Sequence, residues 1–339
     1  MAFPSDAPLL LTVPVLIGAA AAIYFACEYF VNGVEWAGRR FAMGQKATGT
    51  ILAAFGTALP ESAVTLVATA FGAGAAQKDI GVGAALGGPL VLATLAYAVA
   101  GGTLLLSRRP LRTVSTERDF RALSRDQAAF IGLFVIKLAV GLVAFVFKPW
   151  LGVLFLAAYA AYVWAETRAE GGEAEGELEP LKLQPKAAEP ATAMILLQTL
   201  AALAVVFVAS RVFVSGMDSL GHAVGMKPQL LALLVSPVAT ELPEMANAVI
   251  WLRQGKVRLA LANISGAMMI QATIPTALGL FFTPWMLEPA LIAAGGATLA
   301  AMVLLYLGFR SRRISRGGLL AMALFYAAFL VVIVSLRLS

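Results

Sequence analysis

Charge is scarce in this sequence. Asp, Glu, Lys and Arg make up 13% of its 339 residues and hydrophobic side chains 60%, whereas soluble domains run at about 25% and roughly 45–50%. With a mean hydropathy of +0.85, the chain cannot cover a water-facing surface and is expected to be an all-α integral membrane protein. Its long apolar stretches lack the two-residue alternation of a membrane barrel, which leaves helices. A single cysteine, Cys27, excludes an internal disulfide and a thiolate metal cluster and reads as a small apolar helix residue. The lone histidine, His222, sits near a helix end, where an interfacial role fits it. No membrane-embedded Ser/His pair and no His-Glu-x-x-His motif is present, so no enzyme is expected. The N-terminus has no charged n-region before its first apolar run, so no removable signal peptide is expected. The net charge of +6 would suggest nucleic acid in a soluble protein. Here it lies in loops, where it orients the chain in a membrane, and no nucleic-acid partner is expected.

What is there is apolar length. At about 20 residues per crossing, the chain divides into ten helices, over about 10–38, 45–73, 79–106, 127–147, 149–168, 191–223, 228–253, 257–282, 285–308 and 317–337. Residues 169–189 form an acidic, aromatic-free linker expected to be a solvated, disordered connector. The domain reading is a first five-helix unit over 1–168, the linker over 169–189, and a second five-helix unit over 190–339. Loops on one side of these helices carry nineteen Lys and Arg, among them Arg108, Arg109, Arg118, Arg125, Lys182, Arg253 and Arg312; the other side carries Lys78, Lys148, Lys227 and Arg337. Positive charge stays cytoplasmic, which puts the linker inside and both termini outside the cell.

The two units repeat each other. Residues 30–61 align with 213–244 at a constant shift, so that Phe30-Val31-Asn32-Gly33 meets Phe213-Val214-Ser215-Gly216. Further along, Thr57, Leu59, Pro60 and Glu61 meet Thr240, Leu242, Pro243 and Glu244. Shared apolar composition does not align Thr, Pro and Glu at fixed spacing. With five helices per unit, the copies cross in opposite directions, the inverted-repeat device of transporters, whose sites lie on interrupted helices near the midplane.

Each repeat thus places a proline and a glutamate in the middle of an apolar span. The proline removes a backbone donor and frees a carbonyl; a carboxylate at that depth costs several kcal/mol unless it meets a partner, water or an ion. Glu61 and Glu244, the Thr57 and Thr240 hydroxyls, and carbonyls around Ala54, Phe55, Pro237 and Val238 make an all-oxygen set. That set suits a hard cation such as Ca²⁺ or Na⁺ and, lacking histidine and cysteine, does not suit Zn²⁺. Glu241 has no mirror image, since Ala58 fills its place; it reads as a third ligand, a proton carrier or a vestibule residue. Asn263 and Gln271 on helix 8, and Asn247, are further one-sided candidates. Glu28, Glu35, Arg211 and Asp218 either line a water-filled path or snorkel. Lys137 in helix 4 either pairs with a carboxylate or reaches a surface. The glycines of Gly81-Val82-Gly83 and Gly87-Gly88 read as close-packing positions rather than a nucleotide loop.

Gly56-Thr57-Ala58-Leu59-Pro60-Glu61 and Thr240-Glu241-Leu242-Pro243-Glu244 resemble the two alpha-repeat signatures of the cation/calcium antiporter superfamily, the sodium/calcium exchangers. The resemblance extends over nearly the whole chain, with the short linker of a prokaryotic member, and implies a multi-pass protein of the inner membrane. It implies Glu61 and Glu244 as central ligands shared by Ca²⁺ and Na⁺, and Thr57 and Thr240 as hydroxyl and carbonyl ligands. It implies Ala54 and Pro237 as carbonyl ligands of flanking Na⁺, and helices 1 and 6 as the sliding gate. Where the family carries Gly-Ser-Asn-x-x-Asn or Asp, this sequence has Gly87-Gly88-Pro89-Leu90-Val91-Leu92 and Gly266-Ala267-Met268-Met269-Ile270-Gln271, and Glu241 stands for a serine. The implied activity is exchange of Ca²⁺ for Na⁺ by alternating access, with Ca²⁺/H⁺ exchange through Glu241 as the alternative. A channel or sensor without coupling is a further class. No cofactor is implied; the partners are the lipid bilayer and the transported Ca²⁺ and Na⁺ or H⁺.

Overall fold

The computed structural model describes residues 8–40, 59–107, 117–169 and 178–336. Among the described residues every regular element is helical and no strand occurs. The helices are α1 Leu9–Arg40, α2 Leu59–Phe71, α3 Ala75–Leu106, α4 Glu117–Leu142, α5 Leu151–Ala169, α6 Thr192–Val224, α7 Pro228–Thr240, α8 Leu242–Arg253, α9 Val257–Phe282, α10 Pro289–Arg310 and α11 Arg316–Ser335. Six of them (α1, α3, α6, α9, α10 and α11) are long and apolar enough to cross a membrane.

Two pairs organise the molecule. α1 and α6, of 32 and 33 residues, are each about 50 Å long and lie side by side. Leu16 neighbours Gly216 while Gly33 neighbours Thr199, so they run antiparallel. α3 and α7 pack so closely that a Cβ on Gly87 would sit 2.6 Å from both Leu233 O and the Pro237 ring. Small residues let backbones approach in this way. α9 is buried over most of its apolar length and packs against α3, α4, α5 and α8. A five-residue π-helical stretch, Leu92–Ala96, interrupts α3 just after Pro89.

Two sequence expectations are corrected here. Helix 4, expected over 127–147, begins at Glu117 and ends at Leu142. A helix need not stop where its apolar stretch does, and this one starts about ten residues before that stretch. The linker, expected to be disordered over 169–189, is ordered from Leu178 onward; its acidic run 170–177 lies outside the described residues. Leu181 is fully buried against Trp36 and Ile195. Asn32 of α1 holds the segment through its amide: Oδ1 accepts Lys182 N–H at 3.0 Å, and Nδ2 donates to Glu179 O at 3.3 Å. Gln198 of α6 donates to Asn32 Oδ1 at 2.9 Å and accepts Leu183 N–H at 2.8 Å. The segment therefore straps α1 to α6, with Arg39–Glu189 (2.8 Å) and Lys182–Glu28 (3.3 Å) ion pairs at its edges.

Replacing Asn32 by leucine should release this strap. The Lys182 N–H would lose its acceptor, a loss of about 1–3 kcal/mol for a buried donor. Hydrogen-exchange mass spectrometry should then show backbone exchange at Lys182 and Leu183 faster by roughly tenfold or more. Unchanged protection would mean that Leu181, Gln198 and the flanking ion pairs hold the segment without Asn32.

Candidate cation site

The helix broken at its centre, expected over 228–253, is indeed two helices. α7 ends at Thr240, α8 starts at Leu242, and Glu241 lies between them with φ −100° and ψ −11°. Pro243 in the first turn of α8 cannot donate to a carbonyl of the preceding turn, which is why the chain kinks here. The break turns Thr240, Glu241 and Glu244 inward, all at 2% exposure or less.

Glu61, at the start of α2, meets them. Thr240 Oγ1 lies 2.7 Å from Glu61 Oε2, 3.0 Å from Glu241 Oε1 and 3.2 Å from Ser236 O. One hydroxyl has one proton to donate, so two carboxylates share it. Such a pair repels unless a proton or a cation stands between the two groups. Glu61 Oε1, Glu241 Oε2 and both Glu244 oxygens are buried without a hydrogen-bond partner. Buried carboxylates are normally paired or ligating, and oxygens without partners are what Ca²⁺ and Na⁺ take. Glu244 lies in the field of both other glutamates. Among the described residues, no three acidic, histidine or cysteine side chains already converge on one metal position. The arrangement is a bridged pair with a third carboxylate one turn away.

The bridged partner of Glu61 is Glu241, not its mirror image Glu244. Symmetry pointed to the latter; the cross-helix hydrogen bond comes from the Thr240 hydroxyl, which also touches Glu241, the acid without a counterpart. The Pro237 carbonyl, expected as a free ligand, accepts the Glu241 N–H at 2.8 Å. Gln271 is fully buried on α9, its amide beside Glu241. It fits because a Cβ on Gly88 would lie 2.5 Å from its Oε1, so the glycine of α3 makes room for an amide of α9. Asn263 lies about 12 Å earlier along α9, its amide nitrogen buried and unpartnered. Thr57 and Ala54 lie outside the described residues.

Ser236 and Thr65 went unnoticed in the sequence; both carry buried hydroxyls, that of Ser236 without a partner and that of Thr65 beside the Glu61 carboxylate. Each is one helical turn from a predicted ligand, Ser236 before Thr240 and Thr65 after Glu61, and that four-residue spacing is the signal that finds them. Lys137 does not reach a surface; among the described residues it has no carboxylate within 4 Å, yet it lies in the field of Glu61. It is fully buried and donates to Ala85 O at 2.7 Å and Gln271 O at 3.3 Å. At one end of α6, His222 is exposed and 3.7 Å from Asp218, in keeping with an interfacial position.

Comparison with known proteins agrees with this architecture. The family model described as sodium/calcium exchanger protein matches residues 11–168 and 194–335. CaxA of Alkalimonas amylolytica, which carries the name of an antiporter, is 28% identical over 335 residues, covering 93% of this chain and 96% of that protein. YrbG, an inner membrane protein of Escherichia coli (strain K12), is 26% identical over 290 residues, covering 83% of this chain and 82% of its own. Among solved structures, the H⁺/Ca²⁺ exchanger CAX superposes with a TM-score of 0.73 at 17% identity, over 95% of this chain and 82% of that one. The sodium-calcium exchanger NCX_Mj does so with a TM-score of 0.58 at 19% identity, over 97% and 99%. Identities this low establish a shared fold. The family match spans both sides of the linker, over a multi-pass helical membrane protein with buried glutamates at a broken helix, and the chain accordingly belongs to the sodium/calcium exchanger family of membrane cation antiporters.

Proposed function

We propose that this protein is a secondary antiporter that exchanges Ca²⁺ for a monovalent cation by alternating access, with Glu61, Glu241 and Glu244 as its central charged ligands. The observation that carries the reading is the Thr240 hydroxyl shared by two buried carboxylates, with the unpartnered Glu244 beside them. Thr240, Gln271 and Ser236 supply neutral oxygens, and the repeat signature adds Thr57 and the Ala54 carbonyl to the set. Pro237 and Asn263 are left as outer positions. The ten crossings form two inverted units, 1–168 and 190–339, joined by the linker over 169–189. Antiparallel α1 and α6, the first helices of the two units, support that reading. The lopsided loop charge supports external termini in a prokaryotic inner membrane. No resident cofactor is needed; the ions are the cargo.

Two counter-ions are in play. The signatures resembling sodium/calcium exchangers favour Na⁺. The Glu61–Thr240–Glu241 bridge favours H⁺, because an extra carboxylate sharing a hydroxyl with another is a place to hold a proton. Purified protein in liposomes decides between them. Ca²⁺ uptake driven by a pH gradient and indifferent to Na⁺ is the outcome expected from the bridge; uptake driven by Na⁺ alone selects the other ion. Ca²⁺ moving only down its own gradient, with neither counter-ion needed, would identify a channel and end the antiporter reading.

A further inference from the structure

The carbonyls that Lys137 holds are not ordinary helix carbonyls. In an α-helix the acceptor at Ala85 would take its proton from residue 89, and the acceptor at Gln271 from residue 275. Both of those residues are prolines inside their helices, and proline has no N–H to give. One helix from each half of the chain therefore frees one carbonyl, and both free oxygens meet at a single nitrogen, 2.7 and 3.3 Å away. The faces of Phe134 and Trp285 lie 5.5 and 5.8 Å from it, within the range over which an aromatic face attracts a cation. Trp285 Nε1 donates to Lys137 O at 3.3 Å and fixes the indole. The nitrogen is surrounded by acceptors and ring faces, the lining of a monovalent cation site. Carbonyls of interrupted membrane helices are what transporters use to coordinate Na⁺.

This lining adjoins the carboxylate site through one residue. The Gln271 carbonyl accepts from Lys137, while its side-chain amide lies beside Glu241. With the three buried glutamates ionised, as a bound cation requires, they bring −3; the ammonium, when protonated, returns +1 and leaves −2. One Ca²⁺ cancels that charge, and so do two monovalent cations. A site crossing a low-dielectric barrier moves most readily when neutral. We propose that Lys137 is a tethered cation filling a monovalent subsite built from the carbonyls freed by Pro89 and Pro275. By filling it, Lys137 fixes the exchange at two monovalent ions per Ca²⁺ with no net charge moved. The proposal rests on the exchanger reading of the carboxylate site.

The test is made in liposomes whose potential is clamped with K⁺ and valinomycin, by finding the Ca²⁺ ratio across the membrane at which net flux stops. Wild type should give the same ratio at every potential. Lys137→Gln leaves the site at −3 and calls for a third monovalent ion, so its ratio should shift about tenfold for each 60 mV. Lys137→Arg, which keeps the charge, should stay flat. A potential-dependent ratio in wild type overturns the proposal without any variant, and so does a flat ratio in an active Lys137→Gln. A merely structural lysine would change yield or rate and leave the ratio alone. Binding separates this proposal from the exchanger reading: in detergent, Lys137→Gln should bind Ca²⁺ at least tenfold more tightly than wild type, and equal affinity overturns the lysine assignment. Intact Ca²⁺ binding with no coupled transport in wild type would instead overturn the exchanger reading alone.

Discussion

Glu244→Gln should lower counter-ion-driven Ca²⁺ uptake at least a hundredfold and leave the protein folded. The two halves of that expectation have one cause. Both Glu244 oxygens are buried and neither has a hydrogen-bond partner, so the fold loses no contact when the carboxylate becomes an amide. It also loses a charge that the neighbouring glutamates repel. The ion loses a full unit of ligand charge. A few kcal/mol of lost attraction in a buried site, at about 1.4 kcal/mol per tenfold, amounts to roughly a hundredfold or more in affinity. Glu61→Gln should abolish uptake as well. Thermal unfolding separates binding from folding. Ca²⁺ at a hundred times its dissociation constant stabilises the wild type by about 2.7 kcal/mol, and that increment should vanish in Glu244→Gln while the Ca²⁺-free midpoint stays level or rises. Full uptake by Glu244→Gln would remove this residue from the site.

The sequence carries the break in the α7–α8 span and the burial of its acids, because both follow from local chemistry. A proline cannot donate, and a membrane-depth glutamate needs a partner, wherever the rest of the chain goes. It is silent on which acids meet. Alignment of the repeats pairs Glu61 with Glu244, since equivalence is all that an internal repeat records. The bridge to Glu241 depends on how α2 is set against the end of α7, which is tertiary. The prolines of α3 and α9 are equally visible, yet their freed carbonyls converge on Lys137 only once α4 is packed between those helices. The linker misled for a different reason. Its composition is dominated by glutamate and small residues, and averaging over the whole stretch hides the two leucines, Leu178 and Leu181, that dock it. The early start of α4 was missed because an apolar span measures how much helix lies in lipid, not where the helix begins.

Glu241→Gln should cut the protons exchanged per Ca²⁺ from two to one and reduce pH-gradient-driven uptake tenfold or more. A glutamine at 241 has the shape of a protonated glutamate, and its amide can still serve the Thr240 hydroxyl that now lies 3.0 Å from Glu241 Oε1. That residue is then held permanently in its proton-loaded form. Two carboxylates remain against one ammonium, so the site carries −1 and no longer neutralises Ca²⁺, which is the source of the lost rate. Proton release on Ca²⁺ addition, followed by a pH dye in weakly buffered detergent solution, counts the ions directly and does not need transport to be fast. If Na⁺ is the counter-ion, the same variant should change Na⁺-driven uptake and leave proton release near zero in both proteins. If proton release and pH-gradient-driven uptake both match wild type, Glu241 only lines the path to the site, and the bridge to Glu61 is a feature of this conformation without a part in coupling.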